Sequence, residues 1–320
     1  MKVSAAIVAF NHEPYIAQAL DGALAQEVDF AYEIVVADDC STDRTREILL
    51  DYQRRHPDKI RLLFQERNLG CTRNVARLLE SCRGEYVALL DGDDYWTERR
   101  KLARQADYLD QHPTCAISYH QVREMSESGG PAPDAFSVPS GQKRVGAMQD
   151  LLADGIVPTG STLFRREHLV PLPDWFEEAF PPDMVLKALA VDRGTFDFLD
   201  EAMSVYRLHA GGCWSQSDLE GRFLQQIETL QRLNLQFGLR YDRWTRRAVA
   251  KRYLELAVLA EAQGDLAQAR RHLRRFLANV PWGRAVKPDQ WRVIAKVCCP
   301  RSYGAARRLR GWLRGGAGGK

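Results

Sequence analysis

The 320-residue chain contains no apolar run approaching the ~18–20 residues that cross a bilayer, so no membrane span is expected. Its N-terminus passes directly into a strand-like pattern at residues 3–10. A basic stretch, long apolar core and small-residue cleavage site are all missing there, and no secretory signal is expected. The seven cysteines (Cys40, Cys71, Cys82, Cys115, Cys213, Cys298, Cys299) are odd in number and lack the paired short spacings of a zinc site. Reduced thiols in a cytoplasmic protein fit that pattern best. No glycine fingerprint follows a strand and opens a helix, and no G-x-x-x-x-G-K-[ST] loop is present, which argues against the two commonest glycine-built nucleotide sites. Net charge is also nearly absent, at +3, but the sum hides an asymmetry. Residues 296–320 carry seven Lys or Arg and no acid, which leaves −4 for residues 1–295. A mildly acidic body excludes general nucleic-acid binding and makes the tail a local basic device.

What the chain does have is alternation. Segments 3–10, 34–37, 60–64, 86–90 and 116–119 read as strands, and 15–25, 42–54, 72–82 and 97–111 carry helical spacing between them. Strand–helix repetition predicts an α/β fold whose mostly parallel sheet is covered on both faces. Residues 124–142, rich in Gly, Pro and Ser, read as a long loop or flap. Further strand and helix patterns follow at 145–153, 161–164, 184–191, 196–199 and 203–208. From 219 to 278 the pattern is helical with one break at Gly264-Asp265. The pair 252–263 and 266–277 resembles a single tetratricopeptide hairpin, and one unit cannot stack into a binding array.

The chemistry is concentrated at predicted strand ends. The run Tyr86-Val87-Ala88-Leu89-Leu90 empties into Asp91-Gly92-Asp93-Asp94. In an extended loop Asp91 and Asp93 share a face and Asp94 turns from it. Two like charges there repel unless a cation sits between them, and a hard divalent metal carrying a phosphate is one candidate. A solvated turn before a helix is the other. The first strand ends in Phe10-Asn11-His12-Glu13, the second in Asp38-Asp39, and the third leads to Asn68-Leu69-Gly70-Cys71-Thr72-Arg73. In an open α/β sheet such loops converge on one crevice. There an aromatic covers a base, an arginine counters phosphate and carboxylates hold metal. His12, His56, His112, His120, His168 and His272 lack ligand spacing and read as surface or loop residues, with His120, at a strand end, also a candidate to line the crevice. Arg54-Arg55 and Glu98-Arg99-Arg100-Lys101 read as solvated helix faces, and Trp96, Trp175 and Trp214 as either core or sugar-stacking residues.

Taken in order, VSAAIVAFNHEPYIAQALDGALAQ, DDCSTDRT, RNLGCTRN, GEYVALLDGDDYW and YRLHAGGCWS resemble a family 2 glycosyltransferase of the bacterial, non-processive, cell-surface polysaccharide type. The resemblance covers roughly residues 1–215 and implies a GT-A fold. It implies that Ala9, Phe10, Asn11 and Glu13 line the base and ribose of a nucleotide-sugar donor, and that Asp38 and Asp39 touch a uracil or thymine edge and the ribose. It implies further that Arg73 contacts base or phosphate, that Asp91 and Asp93 form the D-x-D motif with Asp93 a direct ligand of Mg²⁺ or Mn²⁺, and that His209 sits near the diphosphate and metal. The family's catalytic base follows the donor half at a helix start, which here falls on Asp183. Capping that helix is the competing role for Asp183, and Glu177 and Glu178 are substitutes. Cys40 and Arg44 stand where the second motif commonly has glycine, and Phe10 where tyrosine is usual.

The resulting expectation is an inverting enzyme that moves one sugar from a UDP- or dTDP-sugar to a hydroxyl of a glycan or lipid-linked acceptor. Its parts would be a GT-A domain over 1–215, a helical domain over 216–295 and a basic tail over 296–320. A non-catalytic sugar-nucleotide binder or assembly protein, docking through the helical region, is the alternative. A nucleotidyltransferase is a weaker rival, because the Gly-rich basic loop it normally carries is missing. If residues 305–314 are helical, Ala306, Leu309, Trp312 and Leu313 oppose Arg307, Arg308, Arg310 and Arg314. That pattern suits either attachment to the inner face of an anionic plasma membrane or a solubilising tail.

Overall fold

The computed structural model describes residues 1–126, 131–139, 141–209, 218–280 and 294–298. It divides into two compact units, Met1–Ser217 and Asp218–Lys320.

In the first unit the elements run β1 (Val3–Ala9), α1 (Ile16–Leu24), β2 (Tyr32–Asp38), α2 (Thr45–Arg55), β3 (Ile60–Phe64), α3 (Cys71–Ser81) and β4 (Tyr86–Asp91). Strands β1, β2 and β4 are buried almost end to end, which is why they read as unbroken apolar runs rather than alternating ones. They pair in parallel in the order β3-β2-β1-β4. The register sets Ala9 opposite Asp38, Asp38 opposite Phe64, and Val8 opposite Asp91. Four strands therefore end level, and their loops emerge along one edge. Ile16, Ala19, Leu20 and Ala23 of α1, and Val75, Leu78 and Leu79 of α3, turn their apolar stripes inward.

Beyond β4 the sheet is mixed. The elements β5 (Tyr95–Trp96), α4 (Lys101–Gln111), β6 (Cys115–Ser126), β7 (Pro131–Phe136), β8 (Val145–Gly146), α5 (Met148–Asp154), β9 (Leu163–Arg165), α6 (Pro182–Val191) and β10 (Thr195–Leu208) follow. The sheet order continues β4-β9-β6-β10-β5, with β6 and β10 parallel and β9 antiparallel to both neighbours. Two expectations are corrected here. Part of the 124–142 flap is strand, because β6 runs on to Ser126 and β7 returns antiparallel to it. The two predicted strands at 196–199 and 203–208 are one strand, β10, kept whole by register shifts between Leu199 and Ser204.

The second unit contains α7 (Leu219–Gln236), α8 (Asp242–Ala262) and α9 (Leu266–Asn279). Asp218 and Asp265 cap α7 and α9 by accepting from the Gly221 and Gln268 amides. Gly264, at φ +84°, ends α8 as expected. A second break, not expected, falls at Gly238 and Leu239, both with positive φ. Ile227, Leu230, Leu233, Val249, Leu256, Leu273 and Phe276 form the buried faces of these helices.

Candidate active site

The first two loops are tied together by side chains receiving backbone amides. Asn11, held at φ +54°, donates its N–H to Ser41 Oγ (2.9 Å), and its Oδ1 accepts the Thr42 amide (2.8 Å). The His12 amide donates to Thr45 Oγ1 (2.8 Å) and the Glu13 amide to Asp43 Oδ2 (3.0 Å), while Glu13 Oε2 accepts from the Arg44 amide (3.2 Å). Ala9 is buried beneath them, and Phe10 is left 41% exposed at the rim. Asp38 is fully buried and accepts from the Ser41 hydroxyl and from Arg46 Nε. Both oxygens of Asp39 are occupied, by the amides of Leu69 (2.7 Å) and Gly70 (2.9 Å), so this carboxylate holds the loop after β3 in place.

The fourth loop is different. Its backbone turns tightly rather than extending, with the Asp94 amide donating to the Asp91 carbonyl (3.0 Å). Gly92 is required at this turn, because a Cβ there would meet His12 Nδ1 at 2.8 Å and the Val8 carbonyl at 2.8 Å. Asp94 is buried and accepts the Arg207 amide (2.9 Å). Arg207 donates from its guanidinium to the Asp93 carbonyl and to Gln18, and lies over the rings of Tyr95 and Tyr15. The end of β10 thus clamps the acidic turn. His209, two residues on, brings Nε2 to 3.0 Å from Asp93 Oδ2. His12 Nε2 approaches the same oxygen at 3.7 Å, and its Nδ1 is buried without a hydrogen-bond partner. His12 lies in the loop after β1, one of the two places expected for it, but the Gly92 turn leaves its side chain only 17% exposed. Burial lowers its pKa below the ordinary imidazole value, against the pull of Asp93.

Burial, then the charges of Asp93 and Asp183, push the Asp91 carboxyl up to about 7. Burial with Asp93 and Asp91 likewise raises Asp94 well above the usual carboxylate range. Three acids whose mutual repulsion Arg207 and Lys187 only partly offset, joined by an imidazole nitrogen, are a donor set that suits Mg²⁺ or Mn²⁺. Among the described residues no three His, Cys, Asp or Glu side chains are already grouped to hold a metal ion. Asp91, Asp93 and His209 are the residues that would have to close on one.

Asp183 lies one residue inside α6, after Pro182, and the N-cap position belongs to Pro181. Its Oδ2 accepts from Thr159 Oγ1 (3.0 Å) and from Lys187 Nζ (2.5 Å). Burial alone would raise its pKa, but Lys187 and Thr159 hold it below the ordinary value, so it is ionised at neutral pH. Its charge reaches Asp91. Glu177, the expected substitute base, faces Arg73 (3.5 Å) and Arg77 (3.7 Å), so it and the arginine expected to contact the donor are ion-paired with each other.

The turn carrying Thr159 rests on residues to which sequence patterning gave no part in the site. Lys101, expected on a solvated face, is fully buried at the start of α4. It donates to Gln105 Oε1 (2.7 Å) and lies 4.2 Å from the centroid of the Trp96 ring. Gln105 Nε2 donates to the carbonyls of Ser118 and Ser161, both at 2.9 Å, and Trp96 Nε1 donates to the Gly160 carbonyl, also at 2.9 Å. Trp96 is therefore a core residue. His120 is buried beside Lys101 and does not line an open crevice. The one available signal was spacing: Lys101, Leu102, Gln105 and Leu109 repeat at i, i+1, i+4 and i+8, so Lys101 and Gln105 lie on the apolar face of α4. Trp214, Cys213 and the segment 305–314 lie outside the described residues.

Residues 4–170 match Glycosyl transferase family 2. The chain belongs to that family. It is 37% identical over 215 residues to uncharacterized protein Rv1520 of Mycobacterium tuberculosis, a match covering 67% of this chain and 61% of that protein. It is 28% identical over 222 residues to uncharacterized glycosyltransferase alr2836 of Nostoc, covering 65% of each. The chain thus spans less than two thirds of the length of these relatives. Its fold is similar to Staphylococcus aureus TarS 1–349 in complex with UDP-GlcNAc, with a TM-score of 0.66 at 21% identity over 88% of this chain and 82% of that one. It is also similar to mannosyltransferase PcManGT of Pyrobaculum calidifontis in complex with GDP-Man and Mn²⁺, with a TM-score of 0.52 at 18% identity over 89% and 88%. The family's GT-A fold, a mixed sheet with flanking helices, is the fold seen here.

Proposed function

We propose that the chain is an inverting glycosyltransferase moving one sugar from a nucleotide-diphosphate sugar to a hydroxyl of a glycan or lipid-linked acceptor. The observation that carries this reading is the pairing of an under-neutralised acidic turn with a separate, ionised carboxylate, Asp183, close enough for their charges to interact. The first three loops would receive the nucleotide, with Phe10 covering the base and Asn11, Glu13 and Asp38 next to it. The UDP-GlcNAc and GDP-Man bound in the structural neighbours support a nucleotide-sugar donor. Asp91, Asp93 and His209 would hold a divalent cation, which when bound neutralises the departing diphosphate.

Asp183 takes the proton from the acceptor hydroxyl as its oxygen attacks the anomeric carbon and the bond to the diphosphate breaks from the opposite side. Thr159 and Lys187 hold Oδ2 and fix the orientation of the carboxylate. The basic tail, Arg301 to Arg314, would keep the enzyme at an anionic membrane surface where lipid-linked acceptors sit. The test is Asp183→Asn, assayed with a panel of sugar nucleotides and Mn²⁺ or Mg²⁺. Transfer falls by orders of magnitude while donor affinity stays within about twofold. Near wild-type transfer would move the base elsewhere, and a wild-type protein that leaves every donor intact would make it a binder.

A further inference from the structure

The two units carry opposite charge. Residues 1–217 have 23 Lys or Arg against 34 Asp or Glu, a net −11, whereas residues 218–320 have 22 against 8, a net +14. The excess in the second unit is not confined to the tail. Helix α9 contains four arginines and no acid, and all four, Arg270, Arg271, Arg274 and Arg275, are exposed. Beside it on α8 stand Arg243, Arg246, Arg247 and Lys251, and Arg246 donates to the Ala278 carbonyl at the end of α9 (2.9 Å). The sets thus touch at the Arg246 end of the α8–α9 hairpin, and on α9 Arg270 also donates to the Val297 carbonyl and Arg275 lies over Tyr253. Arginines at i and i+4, as in Arg270–Arg274 and Arg271–Arg275, repel each other and weaken an isolated helix. Such a face is relieved by a polyanion. Guanidinium forks grip phosphate or carboxylate in pairs, and seven of these eight cations are arginine.

We infer that this hairpin face binds an anionic acceptor glycan, one whose repeating units carry phosphate or carboxylate. The inference rests on the transferase reading above and narrows its acceptor class. Two other polyanions fit less well. An interfacial membrane helix needs a broad apolar face, and on the exposed side of α9 Leu277 is the one large apolar residue. Single-stranded nucleic acid needs aromatic platforms, and no Phe, Tyr or Trp among the unit's described residues is more than partly exposed.

The full-length protein is measured against polygalacturonate and a polyol-phosphate polymer, with neutral dextran, phosphatidylglycerol vesicles and duplex DNA alongside. The inference expects polymer binding that weakens with salt and falls at least tenfold in Arg243→Gln/Arg247→Gln/Arg271→Gln/Arg274→Gln. A parallel set of Arg→Lys changes, which keeps charge and loses the fork, should recover only part of the affinity. Equal affinity for dextran, no loss in the Gln variant, or vesicle or DNA binding that exceeds polymer binding and falls with the same changes would each overturn it. Donor hydrolysis by the wild-type protein is scored separately. Its absence beside intact polymer binding would sink the transferase reading and leave the glycan-binding face standing.

Discussion

The loop after β2 and the loop after β4 each bring three aspartates to the same sheet edge, and their surroundings differ completely. Asp38, Asp39 and Asp43 are met by donors from the protein itself: the Ser41 hydroxyl, the Leu69 and Gly70 amides, and the Thr45 and Glu13 amides. Asp43 is accordingly held below its ordinary pKa despite burial. Asp91, Asp93 and Asp94 lie close enough to repel one another and have fewer hydrogen-bond donors. One backbone amide reaches Asp94, and the imidazoles of His209 and His12 lie near Asp93, with Lys187 and Arg207 as nearby charges. Burial and their neighbours' charges raise Asp91 to about 7 and Asp94 well above the carboxylate range. In the other loop Asp39, though bonded to two amides, is also raised by burial. Acidic residues at a strand end are therefore not the signal of a cation site. The signal is acidity that the fold leaves unanswered.

The largest expected effect separates the two loops by function. Asp93→Ala should lower turnover at least a thousandfold, about 4 kcal/mol of transition-state stabilisation. Its melting temperature should stay within about 2 °C of wild type, since a turn carboxylate surrounded by other acids contributes little to packing. Steady-state transfer and thermal denaturation check both halves, and full activity of the wild type in excess EDTA would break the comparison outright.

A second prediction uses pH. The Asp91 pKa rises from 3.8 to about 7 on folding, so the folded chain holds this proton more tightly than the unfolded one. The stabilisation is complete below about pH 4 and is lost as pH rises through 7, an effect of up to about 4 kcal/mol. In EDTA, wild type should lose stability relative to Asp91→Asn between pH 5.5 and 8, and Mn²⁺ should restore it at pH 8. Parallel pH profiles for the two proteins would show that the acidic turn is already neutralised.

Third, Asp39→Ala should cost about 2–4 kcal/mol in urea unfolding, because it strands the Leu69 and Gly70 amides. Activity at low temperature, where the variant is folded, should fall far less than in Asp93→Ala. A stable but inactive Asp39→Ala would make this residue a donor contact rather than a loop anchor.

The parallel half of the sheet was legible because its strands are buried on both faces and its helices carry clean apolar stripes, so local pattern and tertiary environment agree. The end of β4 was legible for the same reason, but the loop after it was expected to be extended and is instead a tight turn closed by the Asp94 amide on the Asp91 carbonyl. Strand β7 was not legible, since Pro131 and Pro133 argue for a loop and only pairing along β6 makes them an edge strand. Nor was the place of His12, which depends on Gly92 leaving room for its ring, a contact 80 residues away in the chain. Lys101 was misread because Glu98-Arg99-Arg100-Lys101 has the composition of a solvated face. Only the first three obey it; Lys101 begins α4 and points into the core.

That buried lysine supports the smallest and sharpest prediction. The Lys101 ammonium meets Gln105 Oε1 and the Trp96 face, and burial pushes its pKa well below 10.5. The unfolded chain then binds a proton that the folded chain binds less well. Stability tied to this group is present above the unfolded pKa and is lost as pH falls toward the folded one. Wild type should accordingly gain on Lys101→Met as pH rises from 8 to 10, and Lys101→Met should be as stable as wild type or more so near pH 7, where it removes a desolvation cost. Its effect on catalysis should run through Gln105, which holds the Ser161 carbonyl, and through the Thr159 bond to Asp183. A roughly tenfold fall in kcat with little change in donor KM is expected, since about 1–1.5 kcal/mol of positioning is lost at the base and none at the nucleotide. Unfolding curves of both proteins from pH 7 to 10, with steady-state kinetics at pH 7.5, check it. Identical pH slopes would mean that Lys101 stays charged inside the fold, and a change confined to donor KM would place its influence on the other side of the site.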